Sequence, residues 1–143
     1  MKKTFEPEAL GKPVGTYSHV VKVSARELVF VAGQLPTDRD GNMAGVDITD
    51  KIKNHRTIDL AAQVRQTYLN LKAALEAAGA GMEDIVRLDT YVVMSAANEY
   101  GTTGVKVRRE MLGSARPPGA TVYVAGLMPA DALIEIAAIA AID

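Results

Sequence analysis

The sequence predicts an α+β fold: one mixed sheet with two helices on one face, in the order β-β-α-β-α-β-β. Three observations predict it. Apolar spacing changes to a helical period between Asp59 and Ala78, and again from about Ala97 to Leu112. Short β-branched runs precede the first of these stretches. The segments Ile85–Met94 and Ala132–Ala140 are apolar at nearly every position, as strands buried on both faces are.

Taken in order, residues 1–18 read as a loose arm. Two apolar runs, His19–Val23 and Leu28–Ala32, flank the polar break Ser24–Glu27 and predict a β-hairpin. Pro36 ends the second run, and Asp40-Gly41 is a turn signal. Ala44–Ile58 is polar and weakly periodic, so it reads as a long loop or a short helical excursion. In the first helix Leu60, Val64, Tyr68, Leu71, Leu75 and Ala78 share one face, while Gln63, Gln66, Asn70 and Glu76 fall on others. Gly79 and Gly81 stop it. The second helix carries Tyr100, Gly104, Val107 and Met111 as its close-packing stripe. Pro117-Pro118 lead into the last two strands, Ala120–Ala125 and Ala132–Ala140.

Composition narrows the function. A chain of 143 residues suits one domain, residues 1–143, with one core. Apolar residues make up 48% and charged residues 23%, an ordinary balance for a soluble cytoplasmic protein. The net charge of −1 offers no electrostatic case for nucleic acid or an anionic membrane as partner. No cysteine is present, which removes disulfides, thiolate catalysis and cysteine-ligated metals. His19 and His55 are the only imidazoles and have no metal-ligand spacing, so no metal site is expected.

Two helices cover only one face of a sheet, yet several strands are apolar on both. An exposed patch of that size is unfavourable in water, so self-association through the sheet is expected.

Several short stretches, in order, carry a family resemblance. They are Gly15–Ser18, Val31–Pro36, Asp59–Gln66, Asn70–Gly79, Ala115–Val122 and Leu133–Ile136. In these the chain resembles the reactive intermediate deaminase family (Rid, RidA, YjgF-like). The resemblance implies a YjgF/chorismate-mutase-like fold. It also implies a homotrimer with a barrel-like core and small-molecule clefts between subunits. It further implies hydrolysis of enamines and imines to keto acids and ammonia, without metal or cofactor. By position, Tyr17 matches the family's cleft tyrosine, Gly33 a backbone contact to the ligand, and Glu135 the glutamate that holds the attacking water. Thr121 stands where many members have cysteine or threonine.

The chain also departs from the pattern. Gly119 occupies the place of the arginine that pairs with the substrate carboxylate. Losing one partner of a buried charge pair costs roughly 2–5 kcal/mol. Arg116, three residues upstream, is the nearest cation that could take over. If Gly119 is why the chain departs from its relatives, Gly119→Arg should improve hydrolysis of simple imino acids, less so if Arg116 or the 44–58 stretch fills the space. Two functions therefore stand: an atypical metal-free hydrolase of an enamine, imine or related unstable metabolite, or a binding or regulatory trimer without turnover. Glu135 favours the first. It is the only charge between Leu133 and Ile142, where a carboxylate loses hydration and suits general acid–base work.

Overall fold

The computed structural model describes residues 1–143. The strands are β1 (Lys2–Phe5), β2 (Val20–Val23), β3 (Glu27–Gln34), β4 (Val46–Asp50), β5 (His55–Ile58), β6 (Ile85–Val93), β7 (Thr121–Val124) and β8 (Ile134–Ile142). The first long helix is α1 (Leu60–Ala77). The second helical stretch runs through α2 (Ala97–Glu99), a π-helical turn (Tyr100–Gly104) and α3 (Val105–Leu112). No helix is long and apolar enough to cross a membrane.

The main sheet has the strand order β3-β8-β6-β7. β8 runs antiparallel to both neighbours, whereas β6 and β7 are parallel. A parallel pair needs a crossover, and the α2–α3 stretch supplies it. The sheet is mixed and open, and it does not close into a barrel within one chain.

The predicted hairpin is not formed, although both of its strands exist. β2 pairs instead with β1, from Lys2↔Val23 to Phe5↔Val20, so the start of the expected loose arm is a strand. β3 pairs with the distant β8, where Val29 and Val31 pack against the core. The burial gained beside an apolar nine-residue strand outweighs the short connection between β2 and β3. The polar stretch 44–58 also holds strands, the hairpin β4–β5. Most of its residues are exposed, so it shows no apolar alternation to read.

Helix α1 starts and stops as its sequence dictates. Asp59 accepts a hydrogen bond from the Ala62 N–H at 3.0 Å, capping the first turn. Gly79, at φ +75°, lets the N–H of Ala80 reach Leu75 O at 2.9 Å. Its own N–H reaches Glu76 O at 3.0 Å, completing a Schellman stop. Leu60, Val64, Tyr68, Leu71 and Leu75 are buried as predicted.

Gln63 is a correction. It is not on an outer face but fully buried. Its Nε2 donates to Asp131 O at 2.7 Å and its Oε1 accepts from the Leu133 N–H at 2.8 Å. A buried amide that satisfies two backbone groups is a stable core element.

The helices cover one face of the sheet only. Along β8, Ile134, Ile136, Ala138 and Ala140 are buried beneath them, while Glu135, Ala137 and Ile139 point the other way. On that bare face Phe30 is 72% and Leu28 57% exposed, while Tyr91 and Val122 are exposed on its other two strands, β6 and β7.

Candidate functional site

The segment Gly15–Ser18 has no regular secondary structure, yet it is firmly placed. Thr16 and Ser18 are buried, and the Ser18 N–H donates to Arg116 O at 3.0 Å. This lays the segment along the exit from α3. Tyr17 stands edge-on to His19, with ring centroids 5.7 Å apart. Nearby, the parallel register sets Thr121 beside the buried Thr90, so both side chains face the helices.

Into this corner α3 sends Arg108, which is only 8% exposed. Its Nε donates to Thr16 Oγ1 at 2.9 Å, and its Nη1 to Thr90 Oγ1 at 3.0 Å and Tyr68 Oη at 3.2 Å. All three acceptors are neutral hydroxyls, and none of the chain's ion pairs includes Arg108. Burial pushes the Tyr68 hydroxyl well above its ordinary pKa, with the Arg108 charge opposing. Burial likewise raises that of Tyr100, again opposed by Arg108. Both phenols therefore stay protonated through the neutral range.

Two cavities of ≈ 210 and ≈ 220 Å³ open here and share Tyr17, Arg108 and Thr121. Tyr100 and Tyr123 wall the first; Gly119 and Ala120 wall the second. Gly119 is present for a steric reason. A Cβ there would lie 2.6 Å from the carbonyl carbon of Leu88 and closer still to its oxygen. The Leu88 N–H meanwhile donates to Pro118 O at 3.0 Å, so these two backbones are locked together.

Glu135 and Gly33 come together elsewhere. A bulge in β3 between Val31 and Gln34 turns Gly33 toward the bare face, where a Cβ would lie 2.9 Å from the carboxyl carbon of Glu135. Tyr91 pairs with Glu135 across the ladder. Within one chain the predicted residues thus form two groups. Tyr17, Gly119 and Thr121 gather with Arg108 on the helix side of the sheet; Gly33 and Glu135 meet on the other side. Arg116 joins neither. Its Nη1 donates to Gly113 O and Ala115 O, both at 2.7 Å, at the end of α3. No three of His, Cys, Asp and Glu assemble into a group that could hold a metal.

A family model described as endoribonuclease L-PSP matches residues 7–142. The chain belongs to the Rid (YjgF-like) family. A RutC family protein of Pyrococcus horikoshii is 36% identical over 98% of both chains. A 2-iminobutanoate/2-iminopropanoate deaminase of Salmonella typhimurium is 33% identical over 98% of both. Among solved structures, a Rid-family protein of unknown function from Yersinia pestis superposes with a TM-score of 0.81 at 28% identity. That match covers 99% of this chain and 98% of the other.

In this Rid protein, sequence reasoning missed Arg108, Thr16, Thr90, Tyr100 and Tyr123. One signal was available: Tyr100, Gly104 and Arg108 recur every four residues, which puts an arginine on the helix's close-packing stripe. The π-helical turn that aims Tyr100 left no readable trace.

Proposed function

We propose that this Rid-family chain is a metal-free hydrolase of small enamines or imines, working in clefts between the subunits of a homotrimer. One observation carries the reading. The two groups of site residues lie on opposite faces of the same sheet, and the face bearing Glu135 is uncovered, with Leu28 and Phe30 exposed on it beside the Arg87–Asp89 ion pair. A second copy packed on that face would bring the Gly33–Glu135 group of one subunit beside the Tyr17–Thr121 cavity of the next. The imine deaminase activity named for the Salmonella typhimurium relative supports the reaction class.

The chemistry asks little of the protein. Glu135 accepts a proton from a water whose oxygen adds to the imine carbon, and the nitrogen takes up a proton. The resulting carbinolamine loses ammonia as its C–N bond breaks and the C=O forms. An enamine enters the same route after its carbon is protonated. Gly33, lacking a side chain, leaves the room in which the Glu135 carboxylate sits. Tyr17 and Thr121 orient the ligand from the facing subunit.

A mixing experiment tests the reading. Glu135→Gln and Thr121→Val are each made inactive in ammonia release from freshly generated imines, then unfolded together and refolded as mixed trimers. Mixed trimers should regain activity, because some interfaces combine an intact Glu135 with an intact Thr121. Failure of the mixture to exceed either parent, with trimers present, would place all the working groups within one subunit and overturn the proposal.

A further inference from the structure

The positive charge of Arg108 lacks a counter-ion. Arg108 is more than nine-tenths buried, and a buried ion without a partner is costly enough that proteins rarely keep one idle. Thr16, Thr90 and Tyr68 occupy its Nε and Nη1 hydrogens. They fix the plane of the group and shield it from water, yet neutralise nothing. Both hydrogens of Nη2 are left without a partner in the chain, and Arg108 borders both cavities.

A second observation points the same way. Tyr100 is 2% exposed, and its hydroxyl is the one buried side-chain polar atom with no hydrogen-bond partner. It too lines the cavity with Arg108. Its position is imposed by the backbone. The π-helical turn Tyr100–Gly104 carries it, and a Cβ on Gly104 would sit 2.9 Å from the Tyr100 ring carbon Cγ. Glycine at 104 is therefore what lets the ring fold down over the cavity. π-Turns of this kind occur often at functional sites.

We propose that Arg108 and Tyr100 form an anion subsite that takes the carboxylate of a small organic acid, gripped from helix α3 and not from the strand that begins after Gly119. Nη2 of Arg108 and the Tyr100 hydroxyl supply the donors, and Thr121 Oγ1 lies on the same wall. A carboxylate fits because it matches the single positive charge and accepts from several donors at once. The β7 approach cannot supply this cation, since any side chain on Gly119 meets the Leu88 carbonyl. The inference rests on the cleft reading above and names the ligand class of that cleft.

Pyruvate is the probe, being the keto acid that hydrolysis of 2-iminopropanoate would release, and pyruvamide is its uncharged counterpart. Calorimetric titration should show pyruvate binding and pyruvamide binding at least about 30-fold weaker. Arg108→Met removes the charge at similar length. It should lose pyruvate by a similar factor, and losing the bonds to Thr16, Thr90 and Tyr68 should lower the melting temperature besides. A purely structural arginine would give the lowered melting temperature with pyruvate affinity unchanged. Tyr100→Phe should weaken pyruvate several-fold and leave the melting temperature unchanged. Equal affinity for pyruvate and pyruvamide, or undiminished pyruvate binding by both variants, would overturn the subsite. Glu135→Gln separates the two proposals. It should abolish ammonia release and keep pyruvate binding, so an inactive wild type that still binds pyruvate through Arg108 would sink only the hydrolase.

Discussion

At position 119 a glycine stands where the family resemblance expects an arginine, and the sequence alone makes that look like a simple loss. The backbone gives another account. The Leu88 carbonyl approaches Gly119 so closely that no Cβ fits. Neither backbone can yield cheaply, since the Leu88 N–H is bonded to Pro118 O and the Thr90 N–H to Ala120 O. Gly119→Ala should therefore cost about 1–3 kcal/mol in urea unfolding, the range for forcing atoms into a packed site. Gly119→Arg should do no better and should gain no imine hydrolysis, contrary to the improvement expected from the sequence. A Gly119→Arg protein of wild-type stability and higher turnover would show that the strand can move and that Gly119 is the lesion after all.

At the scale of the element, α1 does more than bury a stripe. It carries a polar residue into the core, where Gln63 holds the backbone just before β8. On the same helix Asn70 Nδ2 donates to Leu35 O and Thr37 O, at 2.8 and 2.7 Å, and so fixes the chain leaving β3. Both strands that carry the Gly33–Glu135 group are thus anchored to one helix by side-chain amides. Gln63→Leu keeps the volume but orphans the Leu133 N–H and the Asp131 carbonyl. It should cost roughly 1–3 kcal/mol for each group left unpaired. Chemical denaturation measures that loss, and a neutral or stabilising outcome would mean water replaces the amide there.

At the scale of the whole molecule, the sheet's bare face is the dominant feature. Phe30 and Leu28 are mostly exposed on it, as are Tyr91 and Val122 in part on its other strands, and an isolated chain would leave that surface in water. Phe30→Asp should split the proposed trimer into monomers in sedimentation, with the far-ultraviolet circular dichroism unchanged. Turnover should vanish with the trimer, since Glu135 would then face solvent. A wild-type chain that sediments as a monomer at micromolar concentration would remove both the assembly and the intersubunit cleft.

What the sequence determined by itself was local or periodic in origin. The face of α1 and its Gly79 stop follow from spacing and backbone preference, which act within a few residues. The doubly apolar β8 announced a sheet with an uncovered face, because burial leaves its mark on every residue it touches. Tertiary structure alone decided strand partners, since β3 reaches β8 across more than a hundred residues and no local rule selects that ladder. It decided the role of Gln63, whose backbone partners lie near the start of β8. It decided the charge of the cavity as well. Spacing puts Arg108 on the packed stripe of its helix, but only the fold encloses it among Thr16, Tyr68 and Thr90, three hydroxyls drawn from distant parts of the chain. A side chain's hydration and pairing depend on what the fold packs around it, and that environment is written only in three dimensions.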